Sequence, residues 1–248
     1  MLSDMPCEET VAIVIPALDE EAIIGEVVTS IRRSLDPGAD VRIIVVDNGS
    51  TDSTAARARA AGAEVVAETT RGYGRACATG VAAATGAELI VLLDGDGADD
   101  PADLAAILAP LRSGEADLVV GVRARRERAS MTVQQAWGNR AAALAIRVLY
   151  GVQVRDLGPF RAIRRRHLLG LEMAEMTYGW STEMLVKSLR AQLRYQEVEV
   201  NYRRRTGVSK VGGTVAGSVR AGASILRTVA RYSRWAPVGA RTSRPLGA

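Results

Sequence analysis

The stretch that decides the fold runs Leu89-Ile90-Val91-Leu92-Leu93-Asp94-Gly95-Asp96-Gly97-Ala98-Asp99-Asp100-Pro101. Its five leading apolar residues predict a strand buried on both faces, as in a parallel sheet. Asp94 and Asp96 then stand at the carboxyl end of that strand, where open α/β sheets bind ligands. Asp99 or Asp100 can cap the following helix, with Pro101 in its first position.

The Asp-x-Asp pair has a specific chemistry. Two carboxylates this close repel each other unless a cation or a proton lies between them. Mg²⁺ or Mn²⁺ takes such oxygen ligands and completes its shell with phosphates and water. Gly95 and Gly97 let the backbone approach a bulky ligand closely. Taken alone, the same residues are equally typical of an ordinary turn, so other stretches must decide.

Strands and helices alternate about every 20 to 25 residues along the first half, which is typical of a mostly parallel sheet with helices on both faces. Besides the strand before Asp94, apolar runs predict strands at 11–15, 41–46, 64–67 and 117–121. The loops after the first and second strands carry Glu20 and Asp47. Parallel strands bring these loops and the Asp-x-Asp pair to one edge of the sheet. We therefore expect an α/β fold with a single binding site at that edge.

Length and composition exclude several classes of protein. The 248 residues suit one large α/β domain, or one domain with a small appendage. Two cysteines are too few for a disulfide framework or a zinc site, and the single histidine, His167, disfavours a Ser-His-Asp triad. No signal peptide or run of about 20 apolar residues stands out, so a cytoplasmic location is expected.

Charge is distributed unevenly. Ten basic residues and no acidic one follow Glu199, whereas the rest of the chain has a net charge of −6. Such an arm suggests an anionic partner, namely phosphates or a membrane surface; nucleic acid is disfavoured because no recognition motif accompanies the charge. Residues 215–235 predict a basic amphipathic helix, either packed on the domain or lying peripherally on an anionic membrane at its inner face.

The second half predicts helices at 131–150 and 181–191, an edge strand at 195–202 and a turn-rich segment at 156–161. Arg164, Arg165 and Arg166 are expected on a solvated face, as most runs of arginine are.

Four motifs in the first half occur together in order and spacing: Val14-Ile15-Pro16-Ala17-Leu18-Asp19-Glu20, Val45-Val46-Asp47-Asn48-Gly49-Ser50-Thr51-Asp52, Gly72-Tyr73-Gly74-Arg75-Ala76 and Leu93-Asp94-Gly95-Asp96. With them the chain resembles glycosyltransferase family 2, which implies the GT-A nucleotide-diphospho-sugar transferase fold. The second half resembles the polyprenyl-phosphate branch, similar to dolichol-phosphate mannose synthases. Its matching residues are Val120-Gly121-Val122-Arg123, Asp156-Leu157-Gly158-Pro159-Phe160-Arg161, Glu183 and Arg205-Thr206-Gly207-Val208-Ser209-Lys210.

The resemblance implies a map of the chain. We expect a tail at 1–9 and a catalytic domain at 10–214, divided into a nucleotide-sugar-binding half (10–122) and an acceptor half (123–214). A C-terminal helix at 215–236 and a disordered tail at 237–248 complete the map. Departures include Asp19, where relatives often have Asn, and Gly158-Pro159-Phe160, where many have Ser-Gly-Phe.

The resemblance also implies roles for individual residues. For the nucleotide sugar, whether UDP- or GDP-linked, these are Pro16, Ala17, Glu20, Asp47, Gly74, Asp94, Asp96 and Arg123, with Asp47 accepting a hydrogen bond from the base. Asp94 and Asp96 would hold Mg²⁺ or Mn²⁺. Arg205, Lys210 and Glu183 would bind phosphate or acceptor. Asp156 is the candidate general base, or it orients the acceptor.

The predicted function is metal-dependent, inverting sugar transfer from a nucleotide-diphosphate sugar to a polyprenyl phosphate. The same donor chemistry on a soluble hydroxyl acceptor is the main alternative. A non-catalytic nucleotide-binding protein is a further one. A phosphatase of the Asp-x-Asp type is disfavoured, because such enzymes carry the pair after the first strand.

Overall fold

A computed structural model describes residues 9–36, 38–123, 133–203 and 215–237, without the side chains of 133–141 and 215–222. The strands are β1 (Val11–Ala17), β2 (Val41–Asp47), β3 (Glu64–Ala67), β4 (Leu89–Leu92), β5 (Leu118–Arg123), β6 (Arg161–Arg164) and β7 (Tyr195–Val200). The helices are α1 (Ile24–Ser34), α2 (Thr54–Ala60), α3 (Tyr73–Ala83), α4 (Leu104–Arg112), α5 (Val133–Tyr150), α6 (Arg165–Gly170), α7 (Trp180–Arg190) and α8 (Val215–Arg231), and a 3₁₀ turn, Pro101–Asp103, precedes α4.

The seven strands form one sheet in the order β3-β2-β1-β4-β6-β5-β7. Every neighbouring pair is parallel except those that β6 makes with β4 and β5. The predicted mostly parallel sheet is therefore confirmed, and β7 lies at its edge as expected. The antiparallel β6 was missed, because its four residues begin and end with arginine and follow a turn-rich segment.

The sheet is buried on both faces, which explains its continuous apolar strands. Val11, Ile13 and Ile15 of β1 face a core that includes α1, α2 and α4. Ala12 and Val14 face the opposite core, to which α3 and α5–α8 contribute. This three-layer packing leaves the carboxyl ends of β1, β2 and β4 at one edge of the sheet.

Local hydrogen bonds set the start of two elements, one of them differently from the prediction. Helix α1 begins at Ile24 rather than at Glu20 or Glu21, whose backbone N–H groups donate to Thr54 Oγ1 and Asp52 Oδ2. Asp100 caps the 3₁₀ turn by accepting from the N–H of Ala102, as the sequence predicted.

Arg164 was wrongly expected on a solvated face. Its guanidinium pairs with Glu9 at 2.8 Å and donates to the carbonyl oxygen of Leu111 at 2.5 Å. The arginine at the end of β6 thus ties α4 and the start of β1 to the sheet. None of the helices in the described part of the chain combines the length and apolarity needed to cross a bilayer.

Candidate active site

A cavity of about 610 Å³ opens at the carboxyl ends of the strands. One side is formed by loops of the first half and the other by the second half. Its lining includes Pro16, Ala17, Leu18, Asp19, Glu20, Asn48, Arg71, Gly72, Tyr73, Ala76, Asp94, Gly95, Asp96, Leu157, Pro159, Tyr178, Ser181, Thr182 and Ile225. The loops after the first, second and fourth strands therefore converge on one site, as the sequence predicted.

The Asp-x-Asp pair lies in this cavity. Asp94 Oδ1 accepts a hydrogen bond from Tyr73 Oη at 3.0 Å. Asp96 is only 6% exposed, and its Oδ1 accepts from the N–H of Ala98 at 3.0 Å. Burial and the neighbouring charge of Asp94 raise the pKa of Tyr73 well above its ordinary value, so the phenol stays protonated and remains a donor.

A third carboxylate adds to the negative charge. Asp99 is 4% exposed, and its Oδ2 finds no hydrogen-bond partner among the described residues. Burial, followed by the charges of Asp94 and Asp96, raises the pKa of Asp99 well above its ordinary value. Carboxyl groups that crowd each other in this way favour the binding of a cation among them.

The donor set fits a hard divalent ion held partly by its substrate. In the described ranges, no group of three or more His, Cys, Asp or Glu side chains has the geometry of a metal site. Asp94 and Asp96 can supply two carboxylate ligands, which leaves further positions for phosphate oxygens and water. Mg²⁺ and Mn²⁺ prefer such oxygen-rich, open sites.

Asn48 organises the basic loop beside the cavity. Asn48 is buried, and its Nδ2 donates to the carbonyl oxygens of Glu68 and Thr70 at 3.1 and 2.9 Å. Its Oδ1 accepts from the N–H of Gly72 at 2.8 Å. One amide thus fixes the loop that brings Arg71 to the cavity wall.

The loop after β1 is held by the loop after β2. Asp19 adopts a positive φ of 47°, its N–H donates to Ser50 Oγ, and its carboxylate accepts from the N–H of Thr51 at 2.7 Å. Asp47, expected to accept from a base, accepts from the N–H of Ser50 at 3.0 Å. In this state Asp47 shapes the loop, and its contact with a base stays a prediction.

Gly74 allows a close contact between α3 and a distant segment of the chain. A Cβ at this position would overlap the carbonyl oxygen of Glu175 and lie 2.7 Å from the carbonyl carbon of Met176. The N–H of Arg75 also donates to the carbonyl oxygen of Met176. The glycine therefore allows α3 to pack against the 175–176 segment, and its expected place beside the nucleotide sugar stays a prediction.

Asp156 and Arg123 form a buried ion pair. Arg123 Nε and Nη2 donate to the two carboxylate oxygens of Asp156, both at 2.6 Å, and the N–H of Leu157 donates to Oδ1 at 2.8 Å. The side chain of Asp156 is 1% exposed and that of Arg123 is 14% exposed. Burial alone would lower the pKa of Arg123, but its bonds to Asp156 raise it above its ordinary value.

That pairing changes the expected roles of both residues. The guanidinium of Arg123 is committed to Asp156 and also stacks over the ring of Tyr202, at 5.0 Å from its centroid. In this state Arg123 is not presented to a phosphate, and Asp156 does not present a solvated carboxylate as a general base. Both residues position the Leu157–Pro159 wall of the cavity instead.

Glu183 is likewise structural here, although the sequence placed it among the acceptor-binding residues. Its side chain has no exposed surface and pairs with Lys187 at 2.7 Å. Its carboxylate also accepts from the N–H groups of Ala174 and Glu175. It thereby fixes the segment that meets α3. Arg205 and Lys210, the other expected phosphate ligands, lie outside the described residues.

Sequence reasoning gave no role to a second buried cation, Arg161. It is fully buried, and its Nη1 and Nη2 donate to the carbonyl oxygens of Ser181 and Gly158. Burial lowers the pKa of Arg161, whereas the nearby carboxylate of Asp94 acts in the opposite direction. The positive charge of Arg161 thus partly offsets the negative charge of Asp94. The sequence showed Arg161 as the last residue of the 156–161 motif, but it did not show that the side chain is buried near Asp94.

The sequence matches a known family. Residues 12–170 match the model described as "Glycosyl transferase family 2". The chain belongs to glycosyltransferase family 2. Its sheet and helices are those of a GT-A glycosyltransferase, and the matched segment includes the Asp94–Asp96 pair and the Arg123–Asp156 pair.

Similar proteins span nearly the whole of this glycosyltransferase. An uncharacterized glycosyltransferase of Mycobacterium tuberculosis is 37% identical over 216 residues, covering 85% of this chain and 94% of the relative. A dolichyl-phosphate hexose transferase of Haloferax volcanii is 33% identical over 220 residues, covering 88% and 93%. The crystal structure of glucosyl-3-phosphoglycerate synthase from M. tuberculosis with Mn²⁺, UDP-glucose and phosphoglyceric acid has a TM-score of 0.73 and 29% identity, covering 90% and 80%.

Proposed function

We propose that this glycosyltransferase uses a UDP-linked sugar, held with Mg²⁺ or Mn²⁺ at Asp94 and Asp96, and transfers the sugar to the phosphate of a polyprenyl phosphate. The donor part is supported by two carboxylates in a cavity lined by the β1 and β2 loops. It is also supported by the similar structure that contains Mn²⁺ and UDP-glucose.

The ion pair of Asp156 with Arg123 is the observation that favours a phosphate acceptor over a hydroxyl acceptor. A hydroxyl acceptor needs a base to remove its proton, and the candidate carboxylate is buried and bonded to Arg123. A phosphate monoester has its second pKa at about 6, so it attacks as a dianion and needs no base to remove a proton. The relative that acts on dolichyl phosphate has a similar length and covers most of this chain.

The shape of the cavity supports an acceptor with an apolar tail. The second half lines the cavity mainly with apolar and aromatic side chains, namely Leu157, Pro159, Tyr178 and Ile225, beside Ser181 and Thr182, and Tyr178 is half exposed. A polyprenyl chain can leave the site along this side while its phosphate lies near the metal.

The chemical step is a single displacement. A phosphate oxygen of the acceptor forms a bond to the anomeric carbon, the bond from that carbon to the β-phosphate oxygen breaks, and UDP leaves with the electron pair. The configuration inverts. When bound, the metal would neutralise charge on the departing diphosphate. Asp94 and Asp96 would hold the metal, and Tyr73 orients Asp94.

A soluble acceptor is the second candidate, because the similar crystal structure contains phosphoglyceric acid. In that case a hydroxyl group attacks, and Asp156 would have to release Arg123 in order to act as the base.

The test is transfer from radiolabelled UDP-sugars, with and without Mn²⁺, to a polyprenyl phosphate or to 3-phosphoglycerate. We expect a metal-dependent product with the lipid phosphate only. Asp96→Asn should abolish both this product and Mn²⁺-dependent protection of the fold by UDP. The matched control Asp36→Asn, an exposed residue just beyond α1, should retain both. A product with phosphoglycerate alone would replace the lipid acceptor with the soluble one.

A further inference from the structure

Exposed apolar side chains are concentrated on one pair of helices. Among the described residues, six large apolar side chains are exposed, and four of them lie on α5 and α8. Leu144, Val148 and Leu149 of α5 are 61%, 72% and 47% exposed, and Leu226 of α8 is 41% exposed. Exposed apolar side chains that cluster in this way mark an interaction site, so a partner is expected there.

The two helices form one surface. Tyr150 Oη donates to the carbonyl oxygen of Val229 at 2.7 Å, and Ile146 and Val229 are fully buried. Because their inner faces are committed to the core, the outward side chains of both helices are displayed side by side. We call this surface the α5–α8 face: Leu144, Arg147, Val148, Leu149, Leu226, Arg227, Arg231 and Arg234.

The charge of the face has one sign. Neither α5 nor α8 contains an acidic residue. Arg147 is exposed on α5, and Arg227, Arg231 and Arg234 are exposed at successive turns from α8 into the residues that follow it. Exposed arginines therefore accompany the apolar side chains on both helices, and neither helix carries a carboxylate to neutralise them.

These properties select one class of partner. A second copy docking through the same face would place arginine against arginine, which opposes association. Nucleic acid would use the arginines but would leave the aliphatic side chains of α5 without a partner. An anionic bilayer takes both, because aliphatic side chains enter the headgroup–acyl boundary while arginines meet the anionic headgroups.

We propose that the α5–α8 face docks this enzyme onto an anionic bilayer, with Leu144, Val148 and Leu149 of α5 inserted and the arginines on the headgroups. This inference deepens the proposed function and rests on it, because docking serves to bring the enzyme to a lipid acceptor. Ile225, next to Leu226, lines the cavity, so the face borders the active-site opening. A docked enzyme would receive a polyprenyl phosphate directly from the membrane.

The first test is flotation of the full chain with vesicles of phosphatidylglycerol in phosphatidylcholine, and with phosphatidylcholine alone. We expect binding to the anionic vesicles, with loss at high salt. Each arginine near the surface contributes about 5-fold, so Arg147→Gln/Arg227→Gln/Arg234→Gln should lose on the order of 100-fold in partition coefficient. Leu144→Gln/Val148→Gln/Leu149→Gln should lose at least about 10-fold.

Matched controls lie elsewhere on the surface. Leu169→Gln changes an exposed leucine, 51% exposed, on α6. Arg112→Gln changes an exposed arginine on α4. This helix packs on the face of the sheet opposite to the one covered by α5 and α8. Both should bind vesicles like the wild type. All variants should keep the wild-type melting temperature and UDP binding, because the substituted side chains are exposed.

Several outcomes would overturn the inference. These are no binding of the wild type to anionic vesicles, equal loss in the controls, or binding unchanged in both triple variants. Conversion of a wild-type dimer to a monomer by the α5 triple variant, or arginine-dependent binding to RNA without vesicle binding, would assign the face to those partners instead.

Failure of the proposed function gives a different pattern. A water-soluble, short-chain polyprenyl phosphate tests the acceptor without any membrane. Flotation as predicted with no transfer to this acceptor keeps the docking face and rejects the acceptor. Transfer without flotation keeps the acceptor and rejects the face.

Discussion

The Arg123–Asp156 pair allows a direct test of whether this aspartate is a base or a structural residue. Asp156→Asn keeps the shape of the side chain but removes its charge. Arg123 then remains buried without a counter-charge, having lost a partner that it contacts twice at 2.6 Å. Breaking a buried pair in this way costs about 3–5 kcal/mol. That is a large share of the roughly 5–15 kcal/mol that stabilises a typical domain.

The measurement is urea unfolding of the wild type and of three variants. Asp156→Asn should lower the free energy of unfolding by about 3–5 kcal/mol. The double variant Arg123→Met/Asp156→Leu should recover most of this loss, because two apolar side chains leave no unpaired charge. The control Glu64→Gln breaks the more exposed pair with Arg42, and should cost less than about 1 kcal/mol.

Turnover with a lipid phosphate completes the test. At a temperature where Asp156→Asn is folded, its kcat should stay within about 10-fold of the wild type, since general-base catalysis contributes roughly 10²–10⁴-fold. Unchanged stability together with a loss of kcat in that larger range would refute the structural role and restore Asp156 as the base.

Three further predictions follow from the site and the fold. Tyr73→Phe removes one hydrogen bond to a carboxylate, so KM for the UDP-sugar should rise by about 10-fold with an unchanged melting temperature; a steady-state titration showing no rise would contradict this role. Gly74→Ala forces α3 away from Glu175 and should cost about 1–3 kcal/mol, measured by urea unfolding, together with weaker UDP binding; wild-type stability would show that the segment yields freely. Bonds from Arg194 hold the pKa of Asp117 at about 2, below its ordinary 3.8, so this pair stabilises the fold above pH 3.8 and the contribution is lost as pH falls through about 2; Asp117→Asn should flatten that part of an acid-unfolding curve, and an unaltered curve would contradict it.

The sequence by itself determined the fold class and the location of the site. Continuous apolar runs can be buried only in a sheet covered on both faces, and parallel strands bring their carboxyl ends to one edge. Local patterns were therefore enough to predict β1 to β5, the convergence of Glu20 with Asp94 and Asp96, and the amphipathic α8.

Only the tertiary structure decided which polar residues face the cavity and which are paired. Asp156, Glu183 and Arg123 carry charges typical of a site, but burial beside a specific counter-charge commits each of them to another side chain. Asn48 and Arg161 became significant for the opposite reason, because distant backbone groups meet them in the fold. A one-dimensional pattern gives the type and spacing of a charged residue, whereas its role depends on burial and on partners far away in the chain.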